Sequence, residues 1–136
     1  MFRLISASAL VFVCGLAAGC GDDPAPTTPD PPAQINETFV GTINPLGADM
    51  HTFTTQVTGQ ATAAIDSLAP DGSVRVTFMF GTWNGQYCSV EFVTDDATTG
   101  TRFVGNASGP GAFCVRISDI GKITEPATYS ITVSHF

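Results

Sequence analysis

Ser73–Val93 reads SVRVTFMFGTWNGQYCSVEFV, two alternating runs joined by a turn dipeptide. In the first run Val74, Val76, Phe78 and Phe80 share one side, while Arg75, Thr77 and Met79 share the other. That period of two belongs to a strand with one buried face. In the second run Cys88, Val90 and Phe92 fall together. Asn84-Gly85 between them suits a tight I′ turn, because both residues tolerate positive φ. The expectation is a β-hairpin with Trp83 and Gln86 at its mouth.

The pattern continues in both directions from this hairpin. Glu37–Ile43 and Met50–Val57 alternate, the latter placing His51, Phe53 and Val57 on one side. Gln60–Leu68 groups Ala61, Ala63 and Ile65; Ala112–Ser118 groups Phe113, Val115 and Ile117; Thr128–Phe136 groups Tyr129, Ile131, Val133 and His135. Thr101–Val104 is a short, weak run. Gly, Asn, Asp and Pro separate the runs, as in PDG (70–72) and SGPG (108–111). Each run buries one face only, so two sheets are needed to close a core. An all-β, antiparallel sandwich of about seven or eight strands follows, over residues 35–136.

Upstream the composition changes. Met1–Arg3 supply a short positive start, and Leu4–Ala18 are uncharged and largely apolar. This stretch is short for a spanning helix, which needs about 20 apolar residues, and it reads as an export signal over residues 1–19. Ala17-Ala18-Gly19-Cys20 resembles the lipobox of bacterial lipoprotein signal peptides. The resemblance implies acyl chains, palmitate among them, attached at Cys20, and therefore a lipid bilayer as partner. Each buried methylene contributes about 0.8 kcal/mol, and a single chain binds only marginally; several chains at one residue make the attachment effectively permanent. Gly21 rather than Asp after Cys20 suggests, by analogy, sorting to the outer membrane of a diderm envelope. Residues 21–34 hold five prolines (24, 26, 29, 31 and 32) and three aspartates among fourteen residues. With Cys20, they are expected to form a disordered, solvated linker.

The chain carries 12 acidic and 5 basic residues, a net charge of −7. Such a balance supplies no cations to neutralise phosphates, which excludes nucleic acid as a partner. Four cysteines are present. Cys14 leaves with the signal and Cys20 takes lipid, so Cys88 and Cys114 remain as a pair for a disulfide in an exported protein. Their parities conflict: Cys88 shares phase with Val90 and Phe92, whereas Cys114 alternates against Phe113 and Val115. Either a bulge near Gly111 shifts the register, or the bond forms at a sheet edge.

ADMHTFTT (48–55), GTWNGQYCSV (81–90), GPGAFCVRISD (109–119) and ATYSITVSHF (127–136) are together similar to bacterial pre-peptidase C-terminal domains. His51 stands where that family has an aromatic residue in its opening Asp-x-aromatic-x-Phe strand, and Gly111–Val115 replaces a tighter Gly-x-aromatic-x-Val spacing. The resemblance implies a jelly-roll-like sandwich, and it transfers no catalytic residues.

Chemistry-bearing constellations are sparse. Two histidines, His51 and His135, fall short of the three or four ligands of a zinc site. Ser118-Asp119 lies near no histidine, and no Gly-x-Ser-x-Gly elbow occurs; the expectation is a protein that is not an enzyme. Asp95 and Asp96, with Thr98 and Thr99, offer oxygen atoms for calcium; a solvated turn is the alternative. Trp83 and Tyr87 flank the hairpin tip and either stack on a ligand or, for Trp83, close one end of the core. The functional expectation is a surface-anchored binding module for glycan or protein; the alternative is a structural or assembly subunit of an envelope complex.

Overall fold

The computed structural model describes residues 27–136, and the signal segment and Cys20 lie outside the described residues. Eight antiparallel strands follow one another: β1 (Ile35–Ile43), β2 (Ala48–Thr55), β3 (Gly59–Ala69), β4 (Val76–Trp83), β5 (Cys88–Ala97), β6 (Arg102–Ala107), β7 (Gly111–Ser118) and β8 (Ala127–His135). They pair as two four-stranded sheets, β1-β8-β3-β6 and β2-β7-β4-β5. This is the strand order of an eight-stranded jelly roll. Only β4 and β5 are consecutive and share a sheet, so every other connection crosses from one layer to the other. Among the described residues no helix is long and apolar enough to cross a membrane.

Outside β5, the alternating runs bury the faces expected of them. Val76, Phe78 and Phe80 from β4, Phe53 from β2 and Val115 and Ile117 from β7 meet Ala61, Ala63 and Ile65 from β3 and Tyr129, Ile131 and Val133 from β8 in one core. Small residues on β3 offset the large rings of β4, which keeps the filling even. The run at 101–104 is a full strand. Its Phe103 stacks at 5.4 Å on Phe78 and 5.7 Å on Phe92, joining β6 to the opposite sheet.

Two departures from simple alternation matter. In β3 the register against β8 shifts between Ile65 and Ser67, so Asp66 bulges outward and Leu68 returns to the core. In β5 the register against β4 shifts between Phe80 and Gly81: Phe92 faces Phe80, Val90 faces Gly81, and Glu91 is the extra residue. Val90 and Phe92 therefore point to opposite faces, not together as alternation alone suggests. β7 pairs without any shift on either side, so the bulge that one of the two alternatives placed near Gly111 is absent.

One end of the sandwich is tied by Asp119. Its carboxylate accepts from the backbone N–H of Leu46 (2.8 Å), Lys122 (2.7 Å) and Ile123 (3.1 Å), and its own N–H donates to the Gly47 carbonyl (2.9 Å). The residue is buried. Burial pushes its carboxyl up, but the backbone donors outweigh that and hold it below the ordinary carboxylate range. A carboxyl so lowered stabilises the fold at pH values above its unfolded value, and that contribution disappears as pH falls through the folded one. Asp119→Asn should therefore cost about 2 kcal/mol at neutral pH. Urea titrations across acid pH should show the parent losing stability more steeply than the variant; parallel curves would remove Asp119 as the titrating tie.

Candidate functional site

The β4–β5 hairpin builds the candidate site. Trp83 pairs with Cys88, leaving a four-residue loop, Asn84–Tyr87. Asn84 Oδ1 accepts from the N–H groups of Gln86 and Tyr87, both at 2.9 Å, and the Asn84 N–H donates to the Tyr87 carbonyl at 3.3 Å. Gly85 alone takes a positive φ, 96°. The expected two-residue I′ turn, with Gln86 at its mouth, is thus replaced by a longer loop. The side-chain amide of Asn84 closes it in place of a second left-handed residue.

Cys88 and Cys114 are bonded, with Cα atoms 5.9 Å apart. In register, Cys114 faces Gly81 and Cys88 faces Trp83, so both point to the outer side of the β2-β7-β4-β5 sheet. The bulge at Glu91 resolves their conflicting parities. The bond also spans a strand, because β4 lies between β5 and β7. Strands two apart in a flat sheet are separated by about 9.6 Å, so the start of β5 must fold over the outer side of β4. Gly81 permits this: a Cβ there would collide with the Ser89 carbonyl oxygen. Cys114 is fully buried beneath the fold-over.

On that outer side, Met50, Arg116 and Met79 stand side by side on β2, β7 and β4, with Val93 of β5 next in the row. Met50, Met79, Gln86, Tyr87, Cys88 and Arg116 line a shallow concavity. Tyr87 is 60% exposed. Trp83 is half-buried at the neck of the hairpin and takes no part in the core, so it does not close the end of the sandwich. Of the two aromatics singled out in the sequence, only Tyr87 lines the concavity. Met50, Met79 and Arg116 were not singled out. Their signal was present as the outward phase of runs whose inward phase was apolar.

The remaining candidates lie elsewhere. Asp95 accepts from the Thr77 hydroxyl at 2.9 Å, and Asp96 faces Lys122 at 3.2 Å and Arg75 at 3.7 Å. These carboxylates are engaged by protein donors, and among the described residues no cluster of three or more His, Cys, Asp or Glu side chains converges on a point. His135 is buried, with Nε2 2.8 Å from Glu37. His51 stacks on Phe39 at 4.6 Å, its Nε2 2.8 Å from the Tyr129 hydroxyl, which itself donates to Asp49. Burial, reinforced by that carboxylate, pushes the Tyr129 phenol up, so it stays protonated as a donor. The two histidines thus serve separate bridges, His135 between the neighbouring strands β8 and β1 and His51 from β2 to the opposite sheet.

No protein-family model matches the chain, and no curated protein matches it in sequence.

Removing the clasp tests this construction. The bond closes a loop of about 27 residues, equivalent to about 3.5 kcal/mol of unfolded-state entropy. The double variant Cys88→Ser, Cys114→Ser should lose about 2–4 kcal/mol. Gly81→Ala should cost about 3 kcal/mol with both cysteines present. Denaturant unfolding measures both; a Gly81→Ala protein as stable as the parent would contradict the fold-over.

Proposed function

We propose that the chain is a non-catalytic, surface-anchored lipoprotein whose sandwich binds a glycan or protein ligand through the concavity beside the hairpin. The observation that carries this reading is Tyr87: a large ring, mostly exposed, beside a concavity. Its loop is fixed by the Asn84 bonds and by the neighbouring disulfide. An aromatic ring held in this way contributes contact area at small entropic cost and suits the flat face of a pyranose. A face-centred site also lacks the unpaired backbone groups with which a strand edge captures a peptide, which favours a glycan. Cys20 is the proposed lipid attachment, residues 21–34 the spacer and the outer membrane the destination.

Retention on immobilised cell-surface polysaccharide tests the binding site. Tyr87→Ala should weaken it about tenfold, the usual effect of truncating a central aromatic contact, while leaving the melting temperature within a few degrees. Unchanged retention would exclude Tyr87 as the platform. Intact-mass measurement of membrane-extracted protein tests the anchor, with acyl mass on a chain beginning at Cys20 as the expected result and an unmodified Cys20 as the contrary one.

A second reading, an assembly subunit, is favoured by the β5 edge. Val90 (50% exposed), Phe92 (40%) and Val93 (51%) are exposed apolar residues on a strand with one unpaired side, a feature that pairs readily with a partner strand. Crosslinking in cells from position 93 should then trap one dominant protein.

A further inference from the structure

Resting on the binding reading above, we propose that the ligand is an acidic glycan and that Arg116 recognises its carboxylate. Arg116 lies in the concavity with Tyr87. Across the sheet its neighbours are Met50 and Met79, and along β7 the neighbours on its own face are Cys114 and Ser118. All four are uncharged. Among the described residues Arg116 makes no salt bridge, and no side-chain hydrogen bond engages its guanidinium, whereas Arg75 and Lys122 both face Asp96 and Arg102 donates to Thr62. A half-buried guanidinium flanked by two thioethers has apolar surface against its stem and five donors without a protein acceptor. Its planar fork matches a carboxylate in bidentate geometry.

The net charge of −7 does not cancel this attraction. Screening removes most of the field from carboxylates more than about 8–10 Å away at physiological salt, while the guanidinium acts at contact. The ring of Tyr87 and the amide of Gln86 beside it supply a stacking surface and a hydroxyl partner. Arg116 adds the element that separates a uronic acid from a neutral sugar. A carboxylated polysaccharide also repeats its charge along the chain, so weak single contacts accumulate.

Affinity electrophoresis of the full chain in detergent, through gels containing polygalacturonate, alginate, dextran or poly-L-glutamate, reads this out against a ligand-free gel. Retardation by at least one uronate polymer and not by dextran is expected. Arg116→Gln should weaken it tenfold or more, and Arg116→Lys should restore part of it. Equal retardation by dextran and both uronates, unmoved by Arg116→Gln, would overturn the acidic-ligand inference and leave the glycan reading standing. Retardation by poly-L-glutamate as strong as by either uronate would replace the glycan with an acidic peptide. No retardation by any polymer, with the parent's melting temperature retained, would remove both.

Discussion

The fold-over of β5 across β4 is the constraint on which the rest of the molecule depends. An extra residue at Glu91 turns Val90 and Cys88 outward while Phe92, partly exposed at the edge, keeps facing Phe80. Gly81 lets the Ser89 carbonyl descend onto β4, and the Cys88–Cys114 bond holds the arrangement. Each piece requires the others. Without the bulge, Cys88 would point into the core, away from Cys114. Without the glycine, the edge strand could not pass over its neighbour. The same arrangement fixes the loop that carries Tyr87, so the core and the proposed binding surface share one mechanical origin.

Much of the fold was legible because a sandwich needs only one kind of signal, a period of two repeated along the chain. Phe78 and Phe80 announced the inward face of β4, and Ile131 and Val133 that of β8. Periodicity showed β6 only as a short, weak run, because Arg102 and Asn106 flank a glycine and few apolar residues. That strand is secured by the stacking of Phe103 on two rings of the other sheet, a long-range contact with no local trace. The bulges were also hidden. A single inserted residue leaves composition unchanged and reverses the phase of everything beyond it, which is why the two cysteines seemed to disagree. The hairpin loop differed from expectation for a similar reason. Asn-Gly permits a I′ turn without enforcing it, and the four-residue loop uses the asparagine side chain as an acceptor instead.

The candidate site was half legible. Tyr87 and the cysteines stand out as residue types, and Arg116 does not, because an outward arginine on a strand is ordinary until its neighbours are known. Only the sheet order places Met50 and Met79 beside it. Asp95 and Asp96 show the converse. As a sequence they suggest a cation site, yet folding brings Arg75 and Lys122 to Asp96 and Thr77 to Asp95.

The two outer faces of the sandwich differ in how they treat their polar groups. On the β1-β8-β3-β6 sheet, Thr38 bonds Thr132, Thr132 donates to Asp66 and Ser134 donates to Asn36. Hydroxyls there satisfy one another across strands, leaving few directed groups for a ligand. On the other sheet, the row Met50, Arg116, Met79 and Val93 contains no internal acceptor for its one cation. Thioether and alkyl surface adjoins an uncommitted donor fork, so water is the guanidinium's partner until something displaces it. Displacement is favourable only for a group that can match that fork and also cover the apolar flanks. A carboxylate carried on a ring meets both conditions, and a free inorganic anion meets only the first. The asymmetry between the faces is what favours the proposed recognition on the sheet that carries the fold-over.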